Sequence, residues 1–101
     1  MIHFESKKEG DTTRIILSGK ITFENTGELR EKLKEILRDG VNNLVFDMKE
    51  VSFIDSSGLG LLVSVKNTMI KMDGTFSLVN ISDTVRKIMK QTGLDKYFGI
   101  N

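Results

Sequence analysis

The segment of this sequence best suited to chemistry is Asp55–Gly58, which places a carboxylate and two hydroxyls at the start of a helical pattern. The apolar run Val51–Ile54 precedes it, and helical spacing begins at Leu59. Free N–H groups at a helix N-terminus favour negative charge, and a phosphorylated serine there adds about 1.5 to 2 negative charges. Asp and Ser also cap ordinary helices, and for this segment alone capping is the stronger interpretation. A serine here can therefore serve as a cap or as a phosphorylation switch.

Two glycines, Gly58 and Gly60, stand in the first turns of that helical pattern. Each costs about 1 kcal/mol relative to alanine inside a helix, so their presence indicates that something approaches the backbone closely. The sequence leaves open whether this neighbour is a phosphate, the surface of a partner protein or the adjacent strand.

The composition excludes most catalytic and metal-binding chemistry. The chain has no cysteine and His3 is its one histidine, so disulfides, thiol catalysis, Cys/His zinc sites and a Ser-His-Asp triad are not expected. Gly58–Gly60 begins like a dinucleotide-binding fingerprint, but Val63 stands at the third glycine position. Neither a Gly-x-Ser-x-Gly elbow nor a Gly-Lys-Ser/Thr phosphate loop occurs. We therefore expect no catalytic residue, no metal site and no cofactor.

Two further functions of this region are disfavoured. Asp47 and Asp55 could form a carboxylate pair, but both stand at predicted strand ends, where Asp commonly caps or turns. An acyl carrier also presents a serine after an aspartate at a helix start, but carriers are strongly acidic and all-helical. This chain is nearly neutral, and its serine follows a strand-like run. Neither an enzyme nor an acyl carrier is the preferred interpretation.

Length and charge predict one small domain. The chain has 101 residues, 39% hydrophobic and 29% charged, with a formal net charge of +1. Lysines and glutamates are interspersed, so we expect no direct DNA binding. No apolar stretch approaches the roughly 20 residues that span a bilayer, and the first residues lack the features of a signal peptide. We expect a cytoplasmic protein without a membrane segment.

The first half of the chain predicts a hairpin followed by a helix. Ile2–Ser6 and Thr12–Ser18 flank a glycine turn, and Lys20–Phe23 could continue the sheet. Asn25 is the expected N-cap of a helix, with Glu28 completing a capping box. This helix should bury a stripe of apolar residues: Leu29, Leu33, Ile36 and Leu37. It should end at a turn formed by Asp39 and Gly40.

The second half predicts alternating strands and helices. Leu44–Phe46 should be a central strand covered on both faces, followed by Val51–Ile54 and a helix from residue 57 to 72. Thr75–Val79 is a strand, and Ser82 caps a helix that should end near residue 93. Leu94–Phe98 could add a last turn. The expected fold is α/β, with a mixed sheet that starts with an antiparallel hairpin, and about four helices.

The segment Val51–Leu62 resembles the signature of bacterial anti-sigma factor antagonists, which are single-domain members of the STAS family. Leu17–Ile21, Leu44–Asp47 and Thr92–Leu94 also resemble segments of that family. The resemblance covers nearly the whole chain and implies one STAS domain over residues 1–101.

The resemblance implies a protein-binding switch. In this family the unphosphorylated antagonist binds an anti-sigma factor, often itself a serine kinase, and so releases a sigma factor; a serine/threonine phosphatase reverses the modification. The phosphoacceptor would be Ser56, with Ser57 as the second candidate. Asp55, Gly58 and the loop at Thr22 would surround it, forming one docking face with the start of the helix.

One residue departs from the family pattern. The family often has an aspartate where this chain has Thr22, and that aspartate commonly lies near the phosphosite. Its replacement reduces repulsion of an incoming phosphate and bears on recognition by a kinase. A constitutive STAS-like adaptor in a sensory complex, without serine phosphorylation, is the alternative function.

Overall fold

The computed structural model describes residues 2–100. Its elements, in chain order, are β1 (His3–Glu9), β2 (Thr12–Ile21), α1 (Phe23–Arg38), β3 (Asn43–Ile54), α2 (Ser56–Lys71), β4 (Thr75–Val79) and α3 (Asp83–Gln91). His3 is exposed on the first strand. None of the helices within residues 2–100 combines the length and the apolar character needed to cross a bilayer.

The strands form one sheet in the order β1-β2-β3-β4. The first pair is antiparallel and the other two pairs are parallel, which confirms a mixed sheet that starts with a hairpin. β3 pairs on both sides and is central, as predicted. It runs unbroken for 12 residues, through both of the short apolar runs expected from the sequence. Shifts in the register of β2 on both sides of Gly19, whose φ is +111°, keep the two strands paired to their ends.

The core lies on one face of the sheet. Leu44 and Phe46 of β3 are fully buried there, whereas Val45 on the opposite face is half-buried. The prediction that this strand is covered on both faces is therefore wrong, since Asn43 and Val45 are only half-buried although Leu44 and Phe46 beside them are fully buried. Phe46 contacts Phe76 of β4 edge to face, with ring centroids 4.9 Å apart. Buried residues of the helices complete the core: Leu29, Leu33, Leu59, Leu61, Leu62, Val65, Met69, Val85 and Met89.

The start of α1 differs from the prediction. β2 ends at Ile21, Thr22 is the N-cap, and the helix begins at Phe23. Asn25 occupies the third helical position, where its Oδ1 accepts the Thr22 N–H at 3.0 Å. Its side-chain N–H also donates to the carbonyl of Lys20 at 2.5 Å. Asn25 thus plays the part in the capping box that the sequence suggested for Glu28, and the sequence prediction placed this box three residues too late.

The end of the chain contains turns in place of a fourth helix. The structure has three helices within residues 2–100, so the expectation of about four was one too many. The Phe98 N–H donates to the carbonyl of Leu94, which confirms a last turn there. Lys66 of α2 holds this turn: its ammonium lies 4.3 Å from the Tyr97 ring centroid and donates to the Tyr97 carbonyl. We call this set of contacts between Lys66 and Tyr97–Phe98 the C-terminal clasp.

Candidate protein-binding site

The site is positioned by two parallel strands that end together. Ile21 of β2 pairs with Ile54 of β3, so the residues that follow, Thr22 and Asp55, leave the same edge of the sheet. The Asp55 N–H donates to the Ile21 carbonyl at 3.1 Å, which extends the pairing by one residue. Each of these residues is the N-cap of the helix that follows. The N-termini of α1 and α2 therefore lie side by side.

The Asp55 carboxylate caps both helices. Its Oδ1 accepts the Gly58 N–H of α2 at 2.9 Å, and its Oδ2 accepts the Phe23 N–H of α1 at 3.0 Å. These hydrogen bonds, that from Gly58 first, hold the pKa of Asp55 below its ordinary value, because they stabilise the charged form. Asp55 therefore performs the capping that the sequence analysis divided between aspartate and serine.

Gly58 is required by packing against the strands. A Cβ at this position would lie 2.5 Å from the Ile21 carbonyl oxygen and 2.6 Å from a side-chain carbon of Ile54. Of the three neighbours that the sequence left open, the adjacent strand is the one that approaches Gly58. A Cβ on Gly60, by contrast, would have no neighbour within 4 Å, so no contact of the fold accounts for that glycine.

The two serines have different surroundings. Ser56, the first residue of α2, is exposed, whereas Ser57 is half-buried. No acidic residue lies in the first turn of α2, and Asp55 supplies its side-chain cap. The hydroxyl of Ser56 is thus not needed for the helix and faces solvent.

Phe23 adds an exposed apolar residue at the start of α1, next to the start of α2. It is 77% exposed, the largest value among the exposed large hydrophobic residues described. Its backbone is held by the hydrogen bond to Asp55, the residue before Ser56. Gly60 follows Ser56 by one helical turn and is also exposed. We call the surface formed by Phe23, Ser56 and Gly60 the Ser56 face.

Phe23 was not predicted as an exposed helical residue, because the sequence pattern placed it in a continuation of β2. A signal was nevertheless present, because Phe23 precedes Leu29 by six residues and Leu33 by ten. Neither spacing places Phe23 on the buried stripe of α1, because residues on one face of a helix recur every three, four or seven positions. A large apolar residue out of phase with its own helix is a candidate for contact with another molecule.

Thr22 lies between the Ser56 face and an open groove. The groove has a volume of about 870 Å³, and the residues lining it include Thr22, Lys20, Glu24 and Phe53, the last of which is 40% exposed. Thr22 itself is half-buried. An aspartate here would add a carboxylate to the helix end that already binds Asp55.

The two aspartates considered as a catalytic pair have separate partners. Asp47 lies within β3, not at its end, and its carboxylate binds Arg14 at 2.7 Å and Asn80 at 3.2 Å. Asp55 binds only backbone N–H groups of α1 and α2 among its hydrogen bonds. The two carboxylates share no hydrogen-bond partner, and each has a structural role.

Comparisons with known proteins agree with this architecture. The family model described as STAS domain matches residues 3–101. The anti-sigma-B factor antagonist of Bacillus subtilis (strain 168) is 29% identical over 100 residues, covering 99% of this chain and 91% of that protein.

Solved structures give the same result. The crystal structure of an anti-sigma factor antagonist from Mycobacterium paratuberculosis has a TM-score of 0.87 at 26% identity, covering 99% of this chain and 85% of that one. Among Bacillus proteins, the phosphorylated form of the cell fate determinant SpoIIAA has a TM-score of 0.73 at 27% identity, covering 94% and 87%. Matches over most of the length of each chain identify the fold.

Proposed function

This chain belongs to the STAS domain family, and from that premise we propose that it is an anti-sigma factor antagonist switched by phosphorylation of Ser56. In this proposal the unphosphorylated protein binds an anti-sigma factor and thereby releases a sigma factor. Curated relatives and solved neighbours named as anti-sigma factor antagonists support the assignment. A neighbour solved in a phosphorylated form supports the switch.

The observation that carries the proposal is the division of roles between Asp55 and Ser56. Asp55 caps α2 through Gly58, so the hydroxyl of Ser56 is exposed and structurally unoccupied. A kinase can reach it without disturbing the cap. The half-buried Ser57 is the less accessible hydroxyl. Ser56 is therefore the proposed phosphoacceptor and Ser57 the second candidate.

Phosphorylation would act through the charge of the Ser56 face. It would change the formal net charge from +1 to about −1, next to the Asp55 carboxylate. Because Asp55 already occupies the Gly58 and Phe23 N–H groups, these donors are not free to neutralise the phosphate. A partner covering this surface would have to remove water from a dianion, and a loss of about 4 kcal/mol lowers affinity a thousandfold.

Phe23 is the proposed apolar anchor for the partner. Aromatic residues supply much of the binding energy in protein interfaces when they enter a pocket of the partner. The hydrogen bond from its N–H to Asp55 fixes the first turn of α1, so little backbone entropy is lost on binding. The exposed Gly60 leaves the backbone of α2 open to close approach on the same surface.

The remaining partners follow from this function. A serine kinase, which can be the anti-sigma factor itself, would modify Ser56, and a serine/threonine phosphatase would remove the phosphate. We place these partners in the cytoplasm and propose neither direct DNA binding nor membrane binding. Thr22 would shape recognition by the kinase, because it borders the Ser56 face where the family often has an aspartate.

The phosphosite is tested by incubating the protein with its cognate kinase and ATP, followed by mass spectrometry. We expect one phosphate in the wild type and in Ser57→Ala, and none in Ser56→Ala. Phosphate on Ser57 alone would make the second candidate the acceptor, and phosphate on neither serine would refute the switch. If neither serine is modified, a constitutive adaptor in a sensory complex becomes the better interpretation, since such a protein has the same fold but needs no phosphorylation. The rate of phosphorylation of Thr22→Asp, compared with that of the wild type, shows the effect of the aspartate that this chain lacks.

Binding is tested by a titration of the anti-sigma factor with wild type, Ser56→Ala and Ser56→Asp. Ser56→Ala should bind as the wild type does. Ser56→Asp should lose affinity, although by less than the phosphate because it carries one negative charge. Phe23→Ala should weaken binding tenfold or more while leaving the fold intact, because its ring is 77% exposed. Equal binding by all variants would show that the partner uses another surface.

A further inference from the structure

A second surface suited to a partner lies between the two long helices. It is a groove of about 190 Å³ between α1 and α2. Its apolar part consists of Leu33 and Leu37 from α1 and of Leu61 and Val65 from α2. Leu33, Leu61 and Val65 belong to the buried core and form the floor of the groove, whereas Leu37 is half-buried and is its most accessible apolar side chain. We call it the α1–α2 groove.

The rim of this groove is cationic. Arg30 and Lys34 of α1 line it and are exposed. Lys34 pairs with Glu31 at 3.4 Å, but both side chains are mostly in solvent, where such a pair contributes little. Arg30 forms neither an ion pair nor a hydrogen bond with any residue between 2 and 100. Its guanidinium is thus available to a carboxylate.

The opposite wall, formed by α2, adds no compensating charge. The helix Ser56–Lys71 contains no aspartate or glutamate. Its polar residues in the groove are Ser64 and Thr68, and the Thr68 hydroxyl donates to the Ser64 carbonyl at 3.0 Å. Because these two groups already bind each other, a ligand in the groove does not have to supply a hydrogen-bond partner for the Thr68 hydroxyl. The groove therefore combines an apolar bottom, a cationic rim and a wall without negative charge.

We propose that the α1–α2 groove binds an acidic amphipathic helix of a partner protein. An apolar side chain of that helix would enter between Leu37 and Val65, and flanking Asp or Glu residues would pair with Arg30 and Lys34. A helix laid into a groove between two helices is a common mode of peptide recognition, and arginine suits carboxylates because it can form two parallel hydrogen bonds. This surface shares no residue with the Ser56 face, and the proposal does not depend on the switch.

The test uses two synthetic peptides that differ only in charge. Both carry leucines at helical spacing; one has glutamates on the flanks of the apolar stripe, and the other has lysines in those places. Each is titrated into the ¹⁵N-labelled protein, with affinity measured by fluorescence anisotropy. The acidic peptide should shift amide signals within residues 30–37 and 61–68, and its affinity should fall as salt rises. No shift at millimolar peptide, shifts elsewhere, or equal binding of the two peptides would overturn the proposal.

Charge reversal localises the interaction. Arg30→Glu with Lys34→Glu should weaken the acidic peptide at least tenfold and favour the basic one. The matched control, Lys87→Glu with Lys90→Glu, changes two exposed lysines of α3 and should bind as the wild type does. Ser56→Asp should also retain binding. A loss in the α3 control or in Ser56→Asp would place the peptide elsewhere and overturn the assignment, whatever the fate of the switch.

Discussion

Asp55 is the residue on which the site depends, because one side chain closes the N-termini of two helices. Its two oxygens accept N–H groups that are 35 residues apart in the chain, Phe23 and Gly58. Each of these donors would otherwise lack a partner within its own helix. The carboxylate thus links the local geometry of Ser56 to that of Phe23.

Replacing Asp55 with alanine should destabilise the domain by about 2 to 3 kcal/mol, since each lost cap costs about 1 kcal/mol or more. Urea denaturation followed by circular dichroism measures this change. The control is Asp83→Ala, in the first turn of α3, where the carboxylate has only the helix dipole to favour it and about 1 kcal/mol or less is at stake. Equal losses in the two variants would mean that Asp55 acts only through the dipole.

At this scale the sequence predicted where α2 begins but not the contacts made there. The sequence pattern predicted a helix start at Asp55 and hydroxyls beside it, which the structure confirms. The resemblance selected Ser56 over Ser57 as phosphoacceptor, which stays a prediction. The bond from Phe23 to Asp55 joins residues 32 positions apart, and no local pattern carries such information. It depends on the register in which β2 and β3 end.

The two glycines of α2 show how one helix can combine opposite requirements. Gly58 lies against the ends of β2 and β3, whereas Gly60, half a turn further on, faces open space. From the sequence alone, Gly58 and Gly60 lower the stability of the helix equally relative to alanine. Only the tertiary structure shows that one is packed and the other is open.

Substitution by alanine should therefore have opposite effects at the two positions. Gly58→Ala should destabilise by several kcal/mol, because its Cβ would lie 2.5 Å from the Ile21 carbonyl oxygen and the strand end must move. Gly60→Ala should stabilise by about 0.5 to 1 kcal/mol, because alanine restricts the unfolded chain and has room in the helix. Thermal and urea unfolding of both variants provide the comparison. A destabilising Gly60→Ala would contradict the open surroundings described for this residue.

The C-terminal clasp connects the last turn of the chain to α2. Lys66 donates to the Tyr97 carbonyl and lies over the rings of Tyr97 and Phe98, at 4.3 and 5.7 Å from their centroids. Tyr97 in turn donates its hydroxyl to Asn67. The contacts order a segment that has no regular secondary structure of its own.

Lys66→Ala should cost about 1 to 2 kcal/mol, from a charged hydrogen bond and the cation–π contacts. The substitution should also speed amide hydrogen exchange in residues 94–100, because this segment can then open locally without having to break the contacts of the C-terminal clasp. The matched control is Lys71→Ala, in the last turn of the same helix, where the side chain is exposed and the effect should be a few tenths of a kcal/mol. Unchanged exchange in the Lys66 variant would indicate that the turns are held by core packing alone.

Element boundaries were the least predictable feature. The pattern of apolar residues identified every helix and strand between residues 3 and 91, but it placed the start of α1 late and divided β3 into two runs. Thr22 caps α1 only because β2 remains paired to Ile21, and β3 continues through exposed Lys49 and Glu50 because its partner shifts register beside them. Both outcomes depend on neighbouring strands.

At the scale of the whole molecule, the carboxylate of Asp47 links three neighbouring parts of the sheet: β2, β3 and the residues after β4. Asp47 of β3 is 8% exposed and binds Arg14 of β2 and Asn80, which follows β4. Burial raises the pKa of Asp47, but hydrogen bonds from Arg14, from the Lys49 N–H and from Asn80 outweigh it, so the pKa lies below its ordinary value. The charged form is therefore favoured by folding.

Stability should accordingly fall in acid. A carboxylate whose pKa is lowered by folding stabilises the native state above its unfolded pKa of about 3.9, and this contribution is lost as the pH falls through the folded value. Asp47→Asn should be less stable at pH 7 and should lose less free energy of unfolding between pH 5 and pH 2 than the wild type. Asp11→Asn, at the exposed hairpin turn, should keep the wild-type pH dependence. Parallel curves for Asp47→Asn and wild type would contradict this role.

The overall architecture was predictable because the order of elements is simple. Alternating apolar runs and helical stripes indicated an α/β fold with a mixed sheet, and the resemblance indicated a STAS domain; both are confirmed. The face of the sheet that remains open was not predicted, since Val45 is apolar but only half-buried. A short apolar run alone does not distinguish one covered face from two.

The strand order also affects how fast the domain can fold. Each strand pairs with the strand next to it in the sequence, in the order β1-β2-β3-β4, so no pairing joins the two ends of the chain. Folding rates fall as contacting residues become more distant in sequence, because longer loops must close before contacts form. We therefore expect folding at the fast end of the range for mixed α/β domains, with the hairpin available as an early nucleus.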